Sequence, residues 1–113
     1  MFFKINARLL RRPGASPDLS GCTAQLWDKD PIADDLLAEA AVSNASAEFL
    51  FDSEDCSSGD SLFESDPDLY VLVINSEGGA IFRSKVYENV KLGESNIGNS
   101  DVQTCVEMTF EER

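Results

Sequence analysis

The stretch Leu36–Val42, "LLAEAAV", decides the fold class. Alanine, leucine and glutamate are strong helix formers, so in isolation it reads as helix. It is short, however, and the segments on either side alternate apolar and polar residues with a period of two. "CTAQLW" (22–27) sets Cys22, Ala24 and Leu26 against Thr23 and Gln25, and "AEFLF" (47–51) puts Ala47, Phe49 and Phe51 on one face. Between two strands, a stretch this short is read as a third.

The same period runs outward in both directions. In "FFKINARLL" (2–10), Phe3, Ile5, Ala7 and Leu9 share a face opposite Lys4, Asn6 and Arg8. "LYVLVIN" (69–75) is almost continuously apolar, as in a central strand covered on both sides. "AIFRSKVYENV" (80–90) sets Ile81, Arg83, Lys85 and Tyr87 against Phe82, Ser84 and Val86. Near the end, Val102, Thr104, Val106, Met108 and Phe110 share a face. Loops rich in Pro, Gly, Ser, Asn and Asp separate these segments. "SNAS" (43–46) is a compact turn in which Asn44 tolerates a left-handed backbone. Seven short alternating strands in 113 residues predict an all-β chain, a seven-stranded antiparallel β-sandwich, with residues 1–113 as one domain.

Composition narrows the chemistry. The net charge is -12. Residues 28–68 hold thirteen acidic side chains against Lys29, while residues 1–27 carry +3 and residues 69–113 carry -3. No basic face is left to neutralise phosphates, which argues against nucleic acid as a partner. No apolar run is long enough to span a bilayer, and the N-terminus lacks a secretory pattern. The expectation is a cytoplasmic chain that does not enter membranes, or a secreted one if a leader has been removed. Cys22, Cys56 and Cys105 form an odd set without a CxxC spacing, which favours free thiols.

No histidine is present. Ser-His-Asp and Cys-His mechanisms are thereby excluded, as are the usual zinc ligand sets. No glycine-rich phosphate loop occurs. The chain is therefore expected not to be an enzyme.

One constellation invites a ligand. "LWDKDPIADDLLAE" (26–39) crowds Asp28, Asp30, Asp34 and Asp35 into one loop. If successive strands reverse direction, loops 29–35, 52–68 and 88–101 fall at the same end. Asp66 and Asp68 then join the first four. Carboxylates on converging loops suit calcium, which takes six to eight oxygen ligands. The other reading is a solvated turn, for which "DKDP" has the composition.

"QLWDKDPIADDLLAEAAVSNASAEFLFD" followed by "DPDLYVLVINSEGGAIFRS" resembles the transthyretin-like superfamily over residues 21 to about 85. Ala38 stands where that pattern has glycine, and "SNAS" lacks its turn glycine. The resemblance implies a prealbumin-like sandwich and no single activity. Enzymes on that fold rely on histidines that this chain lacks. "LWDKDPIADDLLAE" and "ESDPDLY" are also similar to two calcium loops of C2 domains, though in reversed order. Together these readings predict a non-enzymatic binding or protein-interaction module. The expected partner is an unidentified protein or small ligand, the acidic loops offer a place for a cation, calcium among the candidates, and edge strands offer a route to a homodimer. The alternative is a C2-like, calcium-dependent binder of membranes or proteins, with Ile32, Leu62 and Phe63 as apolar tips.

Overall fold

The computed structural model describes residues 2–14, 19–52, 67–90 and 102–113. Period-two patterning yields seven strands and, among the described residues, no helix. They are β1 (Phe2–Leu10), β2 (Thr23–Asp28), β3 (Asp35–Ala41), β4 (Ser46–Asp52), β5 (Leu69–Ile74), β6 (Ala80–Arg83) and β7 (Val102–Glu111). The stretch with helical propensity is strand β3. Leu37 is buried there, and Ala38 and Ala40 pack against the core, so tertiary burial overrides propensity.

The strands form two sheets, ordered β4-β1-β7 and β3-β2-β5-β6. Phe3, Ile5, Ala7 and Leu9 of β1 are buried together with Ala47, Phe49 and Phe51 of β4 and Phe110 of β7. Ala24 and Leu26 of β2, Leu69, Val71 and Val73 of β5 and Phe82 of β6 complete the same cluster. Both sheets thus contribute to one core. Each large side chain buried there stabilises the fold by about 1.5–3 kcal/mol.

Two expectations need correction. The first is antiparallel pairing throughout, because β1 pairs with β7 in parallel. Each strand reverses the direction of its predecessor, so the first and the seventh run the same way. Placing them side by side forces a parallel ladder. The four-stranded sheet is antiparallel at every pair.

The second concerns residues 80–90, where β6 ends at Arg83. Ser84 is fully buried. Its hydroxyl accepts a hydrogen bond from the Val71 amide at 2.8 Å and donates to the Lys85 carbonyl at 2.8 Å. A side chain has taken one rung of the ladder. Beyond it the chain leaves β5. The Lys85 amide donates to the Glu111 carbonyl, and Ser84 bridges to Glu112, joining the two sheets at that corner. The chain meets β5 again only at Tyr87, which exchanges two backbone hydrogen bonds with Leu69.

The opposite corner is made by the turn between β3 and β4. Ser43 and Ser46 exchange backbone hydrogen bonds, with Asn44 at φ 50° and Ala45 at φ 61°. Two successive left-handed residues make the turn type that fits the twist of a hairpin. Asn44 adopts the conformation expected of it, and Ala45 follows without help from its side chain.

The Ser84→Ala variant leaves the buried Val71 amide without its acceptor. It should lower unfolding free energy by about 1–3 kcal/mol in urea titration, with an unchanged m-value. A loss indistinguishable from zero would show that the hydroxyl is not needed for the rung.

Candidate functional site

The alternation of strand direction sets β2, which ends at Asp28, beside the start of β5 at Leu69. The Asp68 amide donates to Asp28 Oδ1 at 3.1 Å, and the Lys29 amide donates to the Asp68 carbonyl at 2.7 Å. The third loop at this end arrives through Asn89, whose amide donates to Asp68 Oδ1 at 2.9 Å. The Val90 amide donates to the Pro67 carbonyl. Asp28 and Asp68 are therefore brought together as neighbours in a backbone clasp.

The other aspartates close the loop on itself. Asp30 Oδ1 accepts from the Ile32 amide at 3.1 Å, the local turn that aspartate favours. Asp34 Oδ1 accepts from the Asp30 amide at 3.0 Å, and its Oδ2 accepts from the Tyr70 hydroxyl. Asp35 opens β3, is exposed and faces Asp28 across the strands. Asp66 lies outside the described residues, as do Cys56, Leu62 and Phe63.

Two aspartates report opposite environments. Burial pushes the Asp28 carboxyl above its usual range, and Asp35, Asp68 and Asp30 push it further. The Asp68 amide partly offsets this. Asp34 is held below the usual range, first by the Tyr70 hydroxyl and then by the Asp30 amide. Burial pushes Tyr70 up to about 12, and its bond to Asp34 adds to the rise.

Nothing in the sequence singles out Tyr70. Its neighbours on the outer face of the four-stranded sheet explain its place. Trp27 lies opposite it across β2 and β5, and the two rings are nearly parallel, with centroids 6.4 Å apart. The Arg83 guanidinium lies 5.0 Å from the centre of the Tyr70 ring. The Trp27 indole donates to Gln25, which in turn donates to Glu39. Strand parity placed Tyr70 opposite Leu69 and Val71, but the register that puts it beside Trp27 left no mark in the sequence.

At the tip stands Ile32, 95% exposed. Beside the loop is a cleft of about 360 Å³ lined by Lys29, Asp30, Pro31, Asp68, Val86 and Glu88. Among the described residues, no group of three Asp, Glu, Cys or His side chains is placed to hold a metal ion. The aspartate oxygens named above already accept hydrogen bonds from the chain.

No family model and no curated protein matches the chain. Two solved structures share its fold. One is a 9R-lipoxygenase from Cyanothece PCC8801, with a TM-score of 0.52 and 20% identity, matching 97% of this chain. The chain spans only 16% of that lipoxygenase. The other is an alternative pilotin from the type II secretion system of Vibrio cholerae. It has a TM-score of 0.54 and 11% identity, and the match covers 100% of this chain and 98% of that one. Neither is described as a transthyretin-like or C2 domain. At these identities the likeness is one of fold.

Asp28→Asn keeps an acceptor for the Asp68 amide and removes a crowded, half-buried charge. It should raise the melting temperature at neutral pH by a few degrees. The sign follows from the raised folded-state pKa. The penalty of ionised Asp28 is complete above that pKa and vanishes as pH falls toward the unfolded value of 3.8. The gap between variant and wild type in thermal melts should therefore shrink over that window. Millimolar calcium should leave both melting curves in place; a calcium-dependent rise in wild type that is lost in the variant would establish a cation site.

Proposed function

We propose that the chain is a non-enzymatic interaction module that contacts a partner protein through the end of the sheets where loop 29–35 stands. The observation that carries this reading is Ile32, an apolar side chain 95% exposed on a loop whose backbone is pinned by Asp30, Asp34 and Tyr70. An exposed isoleucine alone means little. One held on a pre-formed loop is different, because binding through it loses little conformational entropy. Apolar anchors surrounded by a polar rim are where binding energy concentrates. Here the rim is acidic, formed by Asp30 and Asp35, so the partner's surface is an apolar recess with basic edges. In architecture we read the two sheets as a prealbumin-like sandwich. The two strand orders and the parallel β1/β7 pair support that reading.

A photo-crosslinking residue at position 32 should give discrete protein adducts in the cells that express the chain. The same residue at exposed Ser76, in the turn at the opposite end, should not. Equal or absent labelling from the two positions overturns the proposal. Sedimentation with anionic vesicles separates it from the calcium-dependent membrane reading: no calcium-dependent pelleting is expected.

A further inference from the structure

We propose a second site, distinct from the loop end, that binds a small organic oxyanion with an apolar body. It is a hollow of about 490 Å³ lined by Arg12, Arg83 and Arg113, with Leu72 and Ile81 also in its lining. The chain carries nine lysines and arginines against a net charge of -12, so three arginines around one hollow are a local reversal of sign.

The hollow is built by fixed backbone. The Arg113 amide donates to the Arg83 carbonyl at 2.9 Å, and the Arg12 amide donates to Glu112 Oε1 at 3.0 Å. The Glu112 amide donates to the Leu10 carbonyl at 2.7 Å, and the Arg11 guanidinium donates to the Ile81 carbonyl at 3.0 Å. These bonds tie the end of β1, β6 and the end of β7 into one corner. Residues a hundred positions apart in sequence are thereby held side by side.

The lining also includes the Glu112 carboxylate, which at first sight would repel an anion. Both its oxygens are already engaged, Oε1 by the Arg12 amide and Oε2 by the Arg11 guanidinium at 3.3 Å. One carboxylate thus stands against Arg11, which pairs with it, and the three arginines of the lining, so the corner keeps an excess of positive charge. Among the described residues, Arg12, Arg83 and Arg113 form no ion pair with a carboxylate. The Arg83 guanidinium carbon lies over the Tyr70 ring, 5.0 Å from its centre. Guanidinium forks match carboxylate and phosphate oxygens in pairs. Leu72 and Ile81 are half-buried on the same face, so the floor takes up an apolar body. The volume lies within the range of small-ligand sites.

The probes are phenyl phosphate and benzoate, titrated into the isotope-labelled chain and followed by amide chemical shifts. Inorganic phosphate and benzyl alcohol provide the head and the body alone. Saturable shifts centred on residues 80–83 and 112–113 are expected with either organic anion. Binding should be at least about tenfold weaker for either control, and at least about tenfold weaker in the Arg12→Gln/Arg113→Gln double variant, as expected when two charge-assisted contacts are lost. Lys29→Gln, at the far loop end, should bind as wild type does. Shifts that do not saturate, that are spread over the surface, or that survive in the double variant overturn the proposal. Inorganic phosphate binding as tightly as phenyl phosphate overturns the role of the apolar floor.

Discussion

The structure depends on the ladder that β1 makes with both its neighbours. β1 is the central strand of its sheet, antiparallel to β4 on one side and parallel to β7 on the other. Its alternate residues Phe3, Ile5, Ala7 and Leu9 are all buried. A register slip of one residue would turn Lys4, Asn6 and Arg8 inward, so both ladders are fixed by the same four side chains. The consequences reach both ends of the molecule. Since every strand reverses direction, β2, β4 and β6 run toward one end of the sheets, where β3, β5 and β7 begin. Since β7 runs with β1, the two strands end together, and Arg11, Arg12 and Glu112 meet at the other. Burial tends to push the Glu112 carboxyl up, but the Arg12 amide and the Arg11 guanidinium prevail and hold it low.

At the loop end, repulsion and hydrogen bonding compete over the same aspartates. Asp28 faces Asp35 across the strands and shares a clasp with Asp68, an arrangement of like charges that costs stability. The chain keeps these residues because carboxylate oxygens satisfy amides that the loop leaves without partners. The Asp68, Ile32, Asp30 and Asn89 amides each find one. The crowding that suggests a metal is thus also what a tight loop with few carbonyl acceptors requires. The two uses share a composition and differ in which way the oxygens point.

That difference marks the limit of what the sequence holds. The faces of β1, β2 and β4 are legible because burial follows a period of two. β3 is legible only from its context, since the preference of its alanines and leucines points to a helix. The convergence of Asp28 and Asp68 follows from counting strand reversals, and the parallel pair follows from the same count once β1 and β7 are neighbours. Other features depend on register. Asp34 and Asp35 are adjacent and chemically identical, yet one is bound to Tyr70 and the other is exposed. Ser84 looks like an ordinary strand residue in "FRSKV", and nothing local reveals that its hydroxyl ends the strand. Arg12, Arg83 and Arg113 are brought together by pairing between distant strands, which no short motif encodes.

The two ends then differ in kind, and the net charge sharpens the difference. The thirteen acids of residues 28–68 include the four aspartates of the loop around Ile32, while Arg12, Arg83 and Arg113 line the corner where β6 and β7 join. At physiological ionic strength charges are screened beyond about 8 Å, so each end is felt by a ligand mainly through its own residues. A ligand beside the loop meets its aspartates, and one beside the corner meets arginines rather than the mean field of the chain. Arg83 links the two regions: its guanidinium lies over Tyr70, and Tyr70 holds Asp34 in the loop. Arg83 and Tyr70 thus lie between the corner and the loop on the outer face of the four-stranded sheet, away from its core.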